Sequence, residues 1–488
     1  MKLRIIITAV AAAIMLSGCA DDQSDSSGLD SSEVRSESSV TDSSLVQTES
    51  SEAESSSRVE SSVAESLSSQ DESSESETSA SESSVTTTTS GTQATAASVS
   101  ASSAATTTAA AVTSKPQATR QVSAAGGISF EVYSAHTVNE LITDKSMAAK
   151  NAYARVDTSK VGSFETDVVC VSGGVEVTRK LSYSVVDKTP PVLLYSGSGS
   201  THILGTKFDL NDYVGFADNY DKKPVLTYTG NVNANAAGSY PLRATATDSS
   251  GNKTTWDLTI KVAASLPPYV DTMPIVPYGD FIKRTSYGSN VRFGIDVSAW
   301  QGNIDFKAVK NAGCKFVMIR IGTYYDSVAL DKYFSANLNN AIAAGLDVGV
   351  YFFTTDRTVE GAREHARWIV KQLGGKKLTM PIAYDWEDFA NFQKYGISLH
   401  DFNEVYAAFS DEIKKNGYKP MIYGSPLTLN SMWSEGNKAM DPVWLAHYVD
   451  KTNYQGQYAI WQVRGYGRIA GINGNVDLDV QYMDKKIM

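Results

Sequence analysis

The chain has 488 residues, too many for one ordinary domain, and this length indicates about three structural units. Its 43 basic and 54 acidic residues give a formal net charge of −11, which argues against a protein that binds nucleic acid through a basic face. Three cysteines and five histidines exclude a disulfide-stapled scaffold and disfavour a zinc site built from several protein ligands.

Residues 1–18 have the pattern of a signal peptide. Lys2 and Arg4 precede an apolar run, Ile5–Leu16, that is too short to cross a bilayer as a helix but suits a signal-peptide core. The run ends in the letters LSGC, which resemble a bacterial lipobox, and the resemblance implies that Cys19 receives a diacylglycerol and becomes the new N-terminus. An ordinary secretory signal with an incidental cysteine is the alternative. We expect a lipid-anchored protein on the extracellular face of the cell membrane.

Residues 19–125 consist mostly of Ser, Thr, Ala and Glu and contain almost no aromatic residue. Such a segment cannot bury enough apolar surface to offset its chain entropy, so its composition predicts a disordered linker. A random coil of this length would span roughly 55–60 Å on average. We expect the linker to act as a spacer between the anchor and the folded part of the chain.

Two similar β-rich patterns follow, at residues 126–188 and 189–264. Each reads as a strand, a turn and a final strand, with the turn at Gly173-Gly174 in the first pattern and at Asp248–Asn252 in the second. The recurrence of this order indicates an internal repeat of a small all-β unit.

The second pattern carries motifs that support a family resemblance. They are Thr189-Pro190-Pro191, Asp209 with Tyr213, Ala217-Asp218-Asn219-Tyr220-Asp221, Ala237-Gly238-Ser239-Tyr240 and Asp248-Ser249-Ser250-Gly251-Asn252. Through them residues 189–264 resemble bacterial Ig-like surface domains, whereas residues 126–188 lack the DNYD-like segment and match less completely. Asp218 and Asp221 offer oxygen ligands that suit calcium, although such residues more commonly cap turns.

After a proline-rich connector, residues 265–290, strands and helices alternate. The predicted strands are Phe293–Val297, Lys315–Ile321, Asp347–Phe353, Pro381–Glu387, Lys419–Gly424, Val443–His447, Tyr458–Val463 and Val476–Tyr482. The predicted helices are Asp305–Asn311, Asp331–Ala344, Val359–Leu373 and Leu399–Asn416. Five strand–helix units followed by three strands can close as a barrel. The predicted fold is therefore multidomain: an α/β, TIM-like (β/α)5β3 barrel over residues 291–488, preceded by all-β sandwich repeats and a disordered Ser/Thr-rich linker.

Four acidic residues fall where barrel strands carry chemistry. Asp296 lies near the end of the first strand, Asp385 and Glu387 at the end of the fourth, and Asp477 on the last. Asp385 and Glu387 are two residues apart, so on a strand both point to the same side. Like charges held together keep one acid protonated, and a proton donor beside an anion is the arrangement that glycoside hydrolysis uses.

A series of motifs then runs in order from about residue 291 to the C-terminus. They are Gly294–Asp305 (GIDVSAWQGNID), Ala343–Phe353 (AAGLDVGVYFF), Pro381–Glu387 (PIAYDWE), Trp444–Tyr448 (WLAHY), Ile460–Gln462 (IWQ) and Gly474–Val480 (GNVDLDV). Together they resemble glycoside hydrolase family 25, the muramidase-type lysozymes, whose fold is a (β/α)5β3 barrel.

The resemblance implies roles for the acidic residues. Glu387 would be the general acid, Asp385 would orient the substrate's N-acetyl group or stabilise positive charge, and Asp296 and Asp477 would complete the acidic pocket. Asp479 stands where family members often have Asn, which leaves open whether Asp477 or Asp479 occupies the pocket. Catalysis by carboxylates requires no cofactor and no metal.

Aromatic side chains on the barrel strands are candidates to line a sugar groove. The candidates for substrate binding are Tyr351, Tyr423, Trp444, Tyr448 and Trp461. Aromatic residues in strands also form cores, and for Trp300 and Trp386 both interpretations stay open. His365 and His400 lie on helical faces and are expected to face solvent.

The resemblance further implies a peptidoglycan hydrolase that cleaves the β-1,4 bond between N-acetylmuramic acid and N-acetylglucosamine, for cell-wall breakdown or remodelling. Its partners would be peptidoglycan glycan strands, reached from a membrane anchor on Cys19, with no nucleic acid. Two alternatives remain: cleavage of another N-acetylhexosamine polymer, and a weak or inactive barrel that binds wall carbohydrate as a surface lipoprotein. The oligomeric state stays open.

Overall fold

The computed structural model describes residues 127–268 and 273–485. The predicted signal peptide, Cys19 and the predicted linker lie outside the described residues. Within the described ranges, no helix has both the length and the apolar character needed to cross a membrane.

The first β-rich repeat contains one four-stranded sheet. Its strands are β1 (Ile128–Glu131), β2 (Ala148–Ala149), β3 (Gly162–Ser172) and β4 (Val175–Val186). They lie in the order β1-β4-β3-β2, with β1 parallel to β4 and the other pairs antiparallel. Gly173 and Gly174 form the predicted β3–β4 turn with φ of 58° and 83°, a region that glycine enters without steric cost.

The second repeat has the same strand order in its larger sheet. Its strands are β5 (Val192–Ser196), β6 (Thr201–Ile203), β7 (Val214–Ala217), β8 (Val225–Gly230), β9 (Gly238–Thr247) and β10 (Lys253–Ala263). The sheet β6-β10-β9-β8 repeats the pattern of the first repeat, and β5 pairs separately with β7. The predicted internal repeat is therefore confirmed at the level of topology.

The C-terminal region is the predicted eight-stranded barrel. Its strands are β12 (Val291–Val297), β13 (Phe316–Tyr324), β15 (Asp347–Thr354), β16 (Ile382–Trp386), β17 (Pro420–Gly424), β18 (Val443–Ala446), β19 (Ile460–Arg468) and β20 (Val476–Tyr482). Neighbours from β12 to β19 run parallel, while β20 runs antiparallel to β12 and β19 and closes the barrel between them. Two short strands extend the sheet: β11 (Val276–Pro277) on β19 and β14 (Val328–Leu330) on β13.

Helices cover the outside of the barrel. The α-helices are α1 (Tyr278–Phe281), α2 (Phe306–Asn311), α3 (Phe334–Ala343), α4 (Val359–Leu373), α5 (Leu399–Lys415), α6 (Pro426–Ser431) and α7 (Glu435–Met440). Short 3-10 helices occur at Val138–Leu141, Leu210–Asp212, Thr285–Tyr287, Ala299–Gln301 and Phe389–Tyr395. Four helices fall where the sequence predicts them, while α6 and α7 complete the fifth strand–helix unit in pieces too short for a periodic pattern.

Side chains along each barrel strand point alternately inward and outward. The inward ones form a core inside the barrel, and the outward ones form a second core beneath the helices. The inner core contains Phe316, Met318, Met380, Met421, Trp444 and Ile460. Gly294 on β12 leaves the space that Phe316 fills, since a Cβ there would lie 2.5 Å from the phenyl ring. Arg292 places its guanidinium 5.6 Å from the centre of the same ring. The amino-terminal half of the barrel interior is therefore filled by these apolar side chains, which we call the apolar plug.

The second repeat packs against the barrel beside the end of β16. Strand β7 contacts the 3-10 helix Phe389–Tyr395, and Gln393 Nε2 donates a hydrogen bond to the carbonyl of Val214 at 3.2 Å. Gly215 lies so close that a Cβ would come within 2.0 Å of the Phe389 carbonyl oxygen. This repeat therefore contacts the segment that follows β16, the strand that carries Asp385.

The expectation that His365 and His400 face solvent is wrong for both. The ring of His400 stacks on Tyr133 of the first repeat, with centroids 3.6 Å apart and planes within 6°. His365 Nδ1 lies 2.6 Å from Oδ1 of Asp356, a carboxylate that is 1% exposed. Each histidine meets a partner distant in sequence, which helical periodicity does not reveal.

Replacing Gly294 tests the inner packing. Gly294→Ala should lower the free energy of unfolding of the barrel by about 1–3 kcal/mol, because the new methyl group must displace the Phe316 ring. Chemical denaturation followed by tryptophan fluorescence measures the change. Gly279→Ala is the matched control, since its Cβ meets nothing within 4 Å. Equal stability of the two variants would contradict the described packing.

Candidate active site

Strand β16 carries two of the predicted acids to the carboxyl end of the barrel. Asp385 is 5% exposed, and its Oδ1 is buried without a hydrogen-bond partner. Glu387 follows the strand directly and is partly exposed. The intervening residue, Trp386, points to the outer core, where its indole donates a hydrogen bond to the Asp356 carbonyl at 3.1 Å. The two acids therefore share the inner side, as their spacing predicts.

Strands β12 and β20 bring the other acids together. Asp296 and Asp477 are direct partners in this antiparallel pair, while Asp479 lies opposite Gly294, which has no side chain. Asp479 is 0% exposed, and its Oδ1 accepts a hydrogen bond from the Trp444 indole at 2.8 Å. Both Asp477 and Asp479 therefore point into the barrel, with Asp479 below Asp477.

Gln462 on β19 links the acids to two tyrosines. Its Nε2 donates to Asp296 Oδ2 at 2.8 Å, and its Oε1 accepts from the hydroxyls of Tyr423 and Tyr448, each at 2.9 Å. This buried amide therefore fixes the orientation of Asp296. Gln462 belongs to the Ile460–Gln462 motif but is not among the predicted site residues, although a polar residue two positions after inward-facing Ile460 is a usable signal.

Arg320 adds a positive charge at the same end. Its guanidinium Nη2 lies 2.8 Å from Oδ2 of the buried Asp331, which also accepts from the Ala299 amide at 2.9 Å. The charge of Arg320 lowers the pKa of Asp296 and Asp385, against the larger opposing effect of burial. This residue was also missed, since its partner lies beyond the unpredicted strand β14.

Burial is the main reason that the pKa values of the five carboxyls at this end of the barrel are raised. It raises the pKa of Asp296 to about 6 and, with repulsion from Asp296, the pKa of Glu387 to about 7. Burial also raises the pKa of Asp385 well above its ordinary value, and repulsion from Glu387 and Asp296 adds to it. Asp477 and Asp479 are shifted in the same direction by burial and by Asp296. The cluster can therefore hold protons near neutral pH.

Four of the five aromatic candidates lie with the acids. Burial and the negative charges of Asp296, Asp385 and Asp477 raise the pKa of Tyr351 well above its ordinary value. Trp444 is 1% exposed, so it lies beneath the surface, where its Nε1 donates to Asp479 at 2.8 Å.

Trp461 is not brought to this cluster. It lies on the outer side of β19, is 3% exposed, and donates from Nε1 to the His447 carbonyl at 2.7 Å. Two aromatic residues outside the candidate set are open to solvent at the carboxyl end instead. Trp300 is 70% exposed after β12, and Tyr325 is 43% exposed next to Asp385 and Glu387, whose charges add to burial in raising its pKa to about 12.

The arrangement suits acid–base chemistry on a neutral polar ligand. One carboxyl that can donate a proton lies among others that can carry negative charge, above an apolar plug that limits access of water from below. In the described parts of the chain, one group of side chains could hold a metal ion. It consists of Asp187, Asp218 and Asp248, whose carboxylate oxygens lie within 4.8 Å of one another outside the barrel.

Comparisons with known proteins identify two regions of the chain. The model of glycosyl hydrolases family 25 matches residues 295–472, and the model of the bacterial surface protein Ig-like domain matches residues 196–262. Lysozyme M1 of Streptomyces globisporus is 31% identical over 204 residues, covering 38% of this chain and 65% of its own length. The chain thus spans less than two thirds of that relative.

Two further comparisons concern the same region. An N,O-diacetylmuramidase of a Chalaropsis species is 30% identical over 150 residues, covering 29% of this chain and 67% of that relative. The crystal structure of a bacterial lysozyme from Streptomyces coelicolor is 28% identical and covers 38% of this chain and 90% of its own, with a TM-score of 0.33. Through its C-terminal region the chain belongs to glycosyl hydrolase family 25.

Proposed function

We propose that residues 291–488 form an N-acetylmuramidase that hydrolyses the β-1,4 bond between N-acetylmuramic acid and N-acetylglucosamine in peptidoglycan. Family membership and the names of the relatives, a lysozyme and a diacetylmuramidase, support this substrate and reaction. The observation that carries the proposal is the position of Glu387, partly exposed at the carboxyl end of the barrel yet close enough to Asp296 that partial burial and repulsion raise its pKa to about 7.

Glu387 is the general acid in this proposal. A pKa of about 7 leaves a large share of its carboxyl protonated at neutral pH, where an ordinary glutamate has lost its proton. Its place just beyond the last residue of β16 leaves it partly exposed, so it can reach a bound glycosidic oxygen. The donated proton would assist departure of the sugar that leaves.

The remaining acids serve the positive charge that develops on the cleaved sugar. Asp385 orients the N-acetyl group or stabilises this charge, and Asp296 and Asp477 complete the pocket. Gln462 holds Asp296 in place through its 2.8 Å hydrogen bond. Positive charge that develops on the sugar favours the ionised form of these carboxyls, whose negative charge in turn stabilises it.

Exposed aromatic rings at the same end suit the flat faces of pyranose rings. We assign Trp300 and Tyr325 to contact with sugars beside the bond that is cleaved, since both are open to solvent there. Tyr351 and Tyr448 line the pocket wall, whereas Tyr423 and Trp444 support it from below. The solvent-shielded Trp461 has no contact role in this assignment.

The domain organisation defines where the enzyme would act. In this proposal residues 1–18 are removed, Cys19 carries the lipid, and residues 19–125 extend the repeats at 126–188 and 189–264 from the membrane surface. The barrel, joined through residues 265–290, would then reach peptidoglycan glycan strands in the cell wall. The match of residues 196–262 to a bacterial surface domain supports an extracellular location.

Digestion of purified peptidoglycan tests the proposed reaction. The full chain should release fragments with new N-acetylmuramic acid reducing ends, identified by borohydride reduction and mass spectrometry. New N-acetylglucosamine ends would move the cleavage to the other glycosidic bond. Binding to the sacculus without any new reducing end would instead support a carbohydrate-binding lipoprotein.

The leaving group of the substrate distinguishes the roles of Glu387 and Asp385. Glu387→Gln removes the donated proton, so turnover of peptidoglycan should fall about 10²–10⁴-fold. An activated aryl leaving group requires little protonation and should restore Glu387→Gln far more than Asp385→Asn, which loses charge stabilisation. The comparison of turnover on both substrates measures this difference. The reverse pattern would assign the proton to Asp385.

Stability against pH gives a second test of Glu387. Because its folded pKa of about 7 exceeds the ordinary 4.5, the folded state binds more protons between these values, and ionisation lowers stability as pH rises. Glu387→Gln should therefore raise the free energy of unfolding at pH 8 by about 1–3 kcal/mol, with the difference vanishing near pH 4. Glu364→Gln, on the exposed face of α4, is the matched control. A pH-independent difference would contradict the raised pKa.

Replacing Cys19 tests the anchor. Cys19→Ala should leave an uncleaved precursor or release the protein from the membrane fraction, because the lipid attachment site is gone. Fractionation and immunoblotting of cells that express each form measure the distribution. Unchanged processing and unchanged membrane association in the variant would contradict lipidation at Cys19.

A further inference from the structure

Three aspartates from separate segments meet at the junction of the two β-rich repeats. Asp187 follows β4, Asp218 follows β7 and Asp248 follows β9, and one carboxylate oxygen from each lies within 4.8 Å of the other two. They are 5%, 1% and 6% exposed, respectively. The cluster lies outside the acids of the barrel and has no part in the proposed reaction.

No ion pair compensates this cluster within the described residues. Among them, no lysine, arginine or histidine forms an ion pair with Asp187, Asp218 or Asp248 within 4 Å. Oδ2 of Asp187 and Oδ2 of Asp218 are buried and accept no hydrogen bond. A carboxylate that is 99% buried and has an unpartnered oxygen is costly unless a cation or a proton meets it.

The pKa values of Asp218 and Asp187, the two residues with unpartnered oxygens, are both raised. Burial raises the pKa of Asp218 to about 6, and repulsion from Asp187 and Asp248 adds to the effect. Burial also raises the pKa of Asp187, with repulsion from Asp248 as a further cause. Three buried carboxylates whose oxygens lie within 4.8 Å of one another repel, and a bound cation would compensate this repulsion.

Asp218 and Asp248 are held in place by hydrogen bonds from their own loops. Asp218 Oδ1 accepts from the amides of Tyr220 at 2.9 Å and Asp221 at 2.6 Å. Both oxygens of Asp248 accept from Asn252, Oδ1 from the backbone amide and Oδ2 from Nδ2, each at 2.8 Å. These bonds fix the carboxylate planes, and Oδ2 of Asp218 stays buried without a hydrogen-bond partner.

The ligand set indicates a hard divalent cation. All donors are oxygens, which suits calcium rather than zinc or copper. Calcium binds oxygen at about 2.3–2.6 Å, so two of its ligands lie at most about 5 Å apart, and the observed 4.8 Å limit agrees with one shared ion. The neighbouring Asn219 offers a further buried side-chain oxygen without a hydrogen-bond partner, and its amide group lies against Asp187.

We propose that Asp187, Asp218 and Asp248 bind one calcium ion that fixes the second repeat to the first repeat and to the barrel. Asp187 ends the first repeat, whereas Asp218 and Asp248 belong to loops of the second. The backbone carbonyl of Asp218 also accepts from the Leu399 amide at the start of α5, at 2.8 Å. One ion at this position therefore constrains three parts of the fold at once.

Asp221, the other residue with calcium-type chemistry in the sequence, serves a different purpose. Its Oδ1 accepts from the Lys223 amide at 2.9 Å and its Oδ2 from the Ser249 amide at 2.8 Å. Both oxygens thus stabilise loops, and the cation ligands are Asp218 with two partners from distant segments.

Calcium titration of the full chain tests the site. After removal of divalent ions with EDTA and dialysis, isothermal titration calorimetry at physiological salt should show one more calcium site in the wild-type chain than in Asp218→Asn. Asp212→Asn is the matched control: its exposed carboxylate lies in the same repeat, and it should keep the wild-type stoichiometry. Equal stoichiometry in wild type and Asp218→Asn, or equal affinity of wild type for Mg²⁺ and Ca²⁺, would overturn the proposal.

Thermal unfolding of the wild-type chain provides a readout that does not require the variant to fold. Calcium at a hundredfold excess over its Kd should raise the folding equilibrium constant of the repeats about 100-fold, seen as a higher Tm. Asp212→Asn should show the same increase. A Tm of the wild-type repeats that is independent of calcium would overturn the proposal even if Asp218→Asn cannot be purified.

Discussion

The alternation of side chains along the closed barrel strands is the constraint on which both core and candidate site depend. On β13 the inward positions begin with Phe316 and Met318 in the apolar plug and end with Arg320 at the carboxyl end. On β20 the same alternation turns Asp477 and Asp479 inward. A shift of one residue in register would move these charges into the outer core beneath the helices. The register of the strands therefore determines both the packing of the core and the position of the candidate site.

The cost of placing five carboxyls in this interior is met in two ways. Neutral donors such as the Gln462 amide and the Trp444 indole bind some of the oxygens, each at 2.8 Å, and Arg320 contributes a positive charge. Carboxyls whose charge these groups do not compensate keep their protons to higher pH, because burial favours the neutral acid. The same imbalance that reduces stability at high pH therefore supplies the proton that the proposed chemistry uses. A fully compensated cluster would be more stable and would have no acid to donate.

Local patterns predicted the eight strands, four of the helices and the shared direction of Asp385 and Glu387, because these features repeat every two or every few residues. They did not predict which residue of the Ile460–Gln462 motif faces inward. The aromatic Trp461 resembled a sugar contact, yet alternation places it in the outer core and gives the inner position to Gln462. Likewise, the stacking of His400 on Tyr133 joins parts of the chain that no local period connects. Contacts between domains depend on the tertiary fold.

The second repeat packs directly against the segment that follows Glu387. The 3-10 helix Phe389–Tyr395 begins two residues after Glu387 and is held on one side by Trp386, whose ring packs 5.4 Å from Phe392, and on the other by β7. Because Gly215 leaves room for the Phe389 carbonyl, the repeat approaches this segment more closely than any side chain would allow. A displacement of β7 would therefore reach the residue proposed as the acid through a short, packed segment. The Ig-like repeat and the barrel thus share a packed interface beside the end of β16.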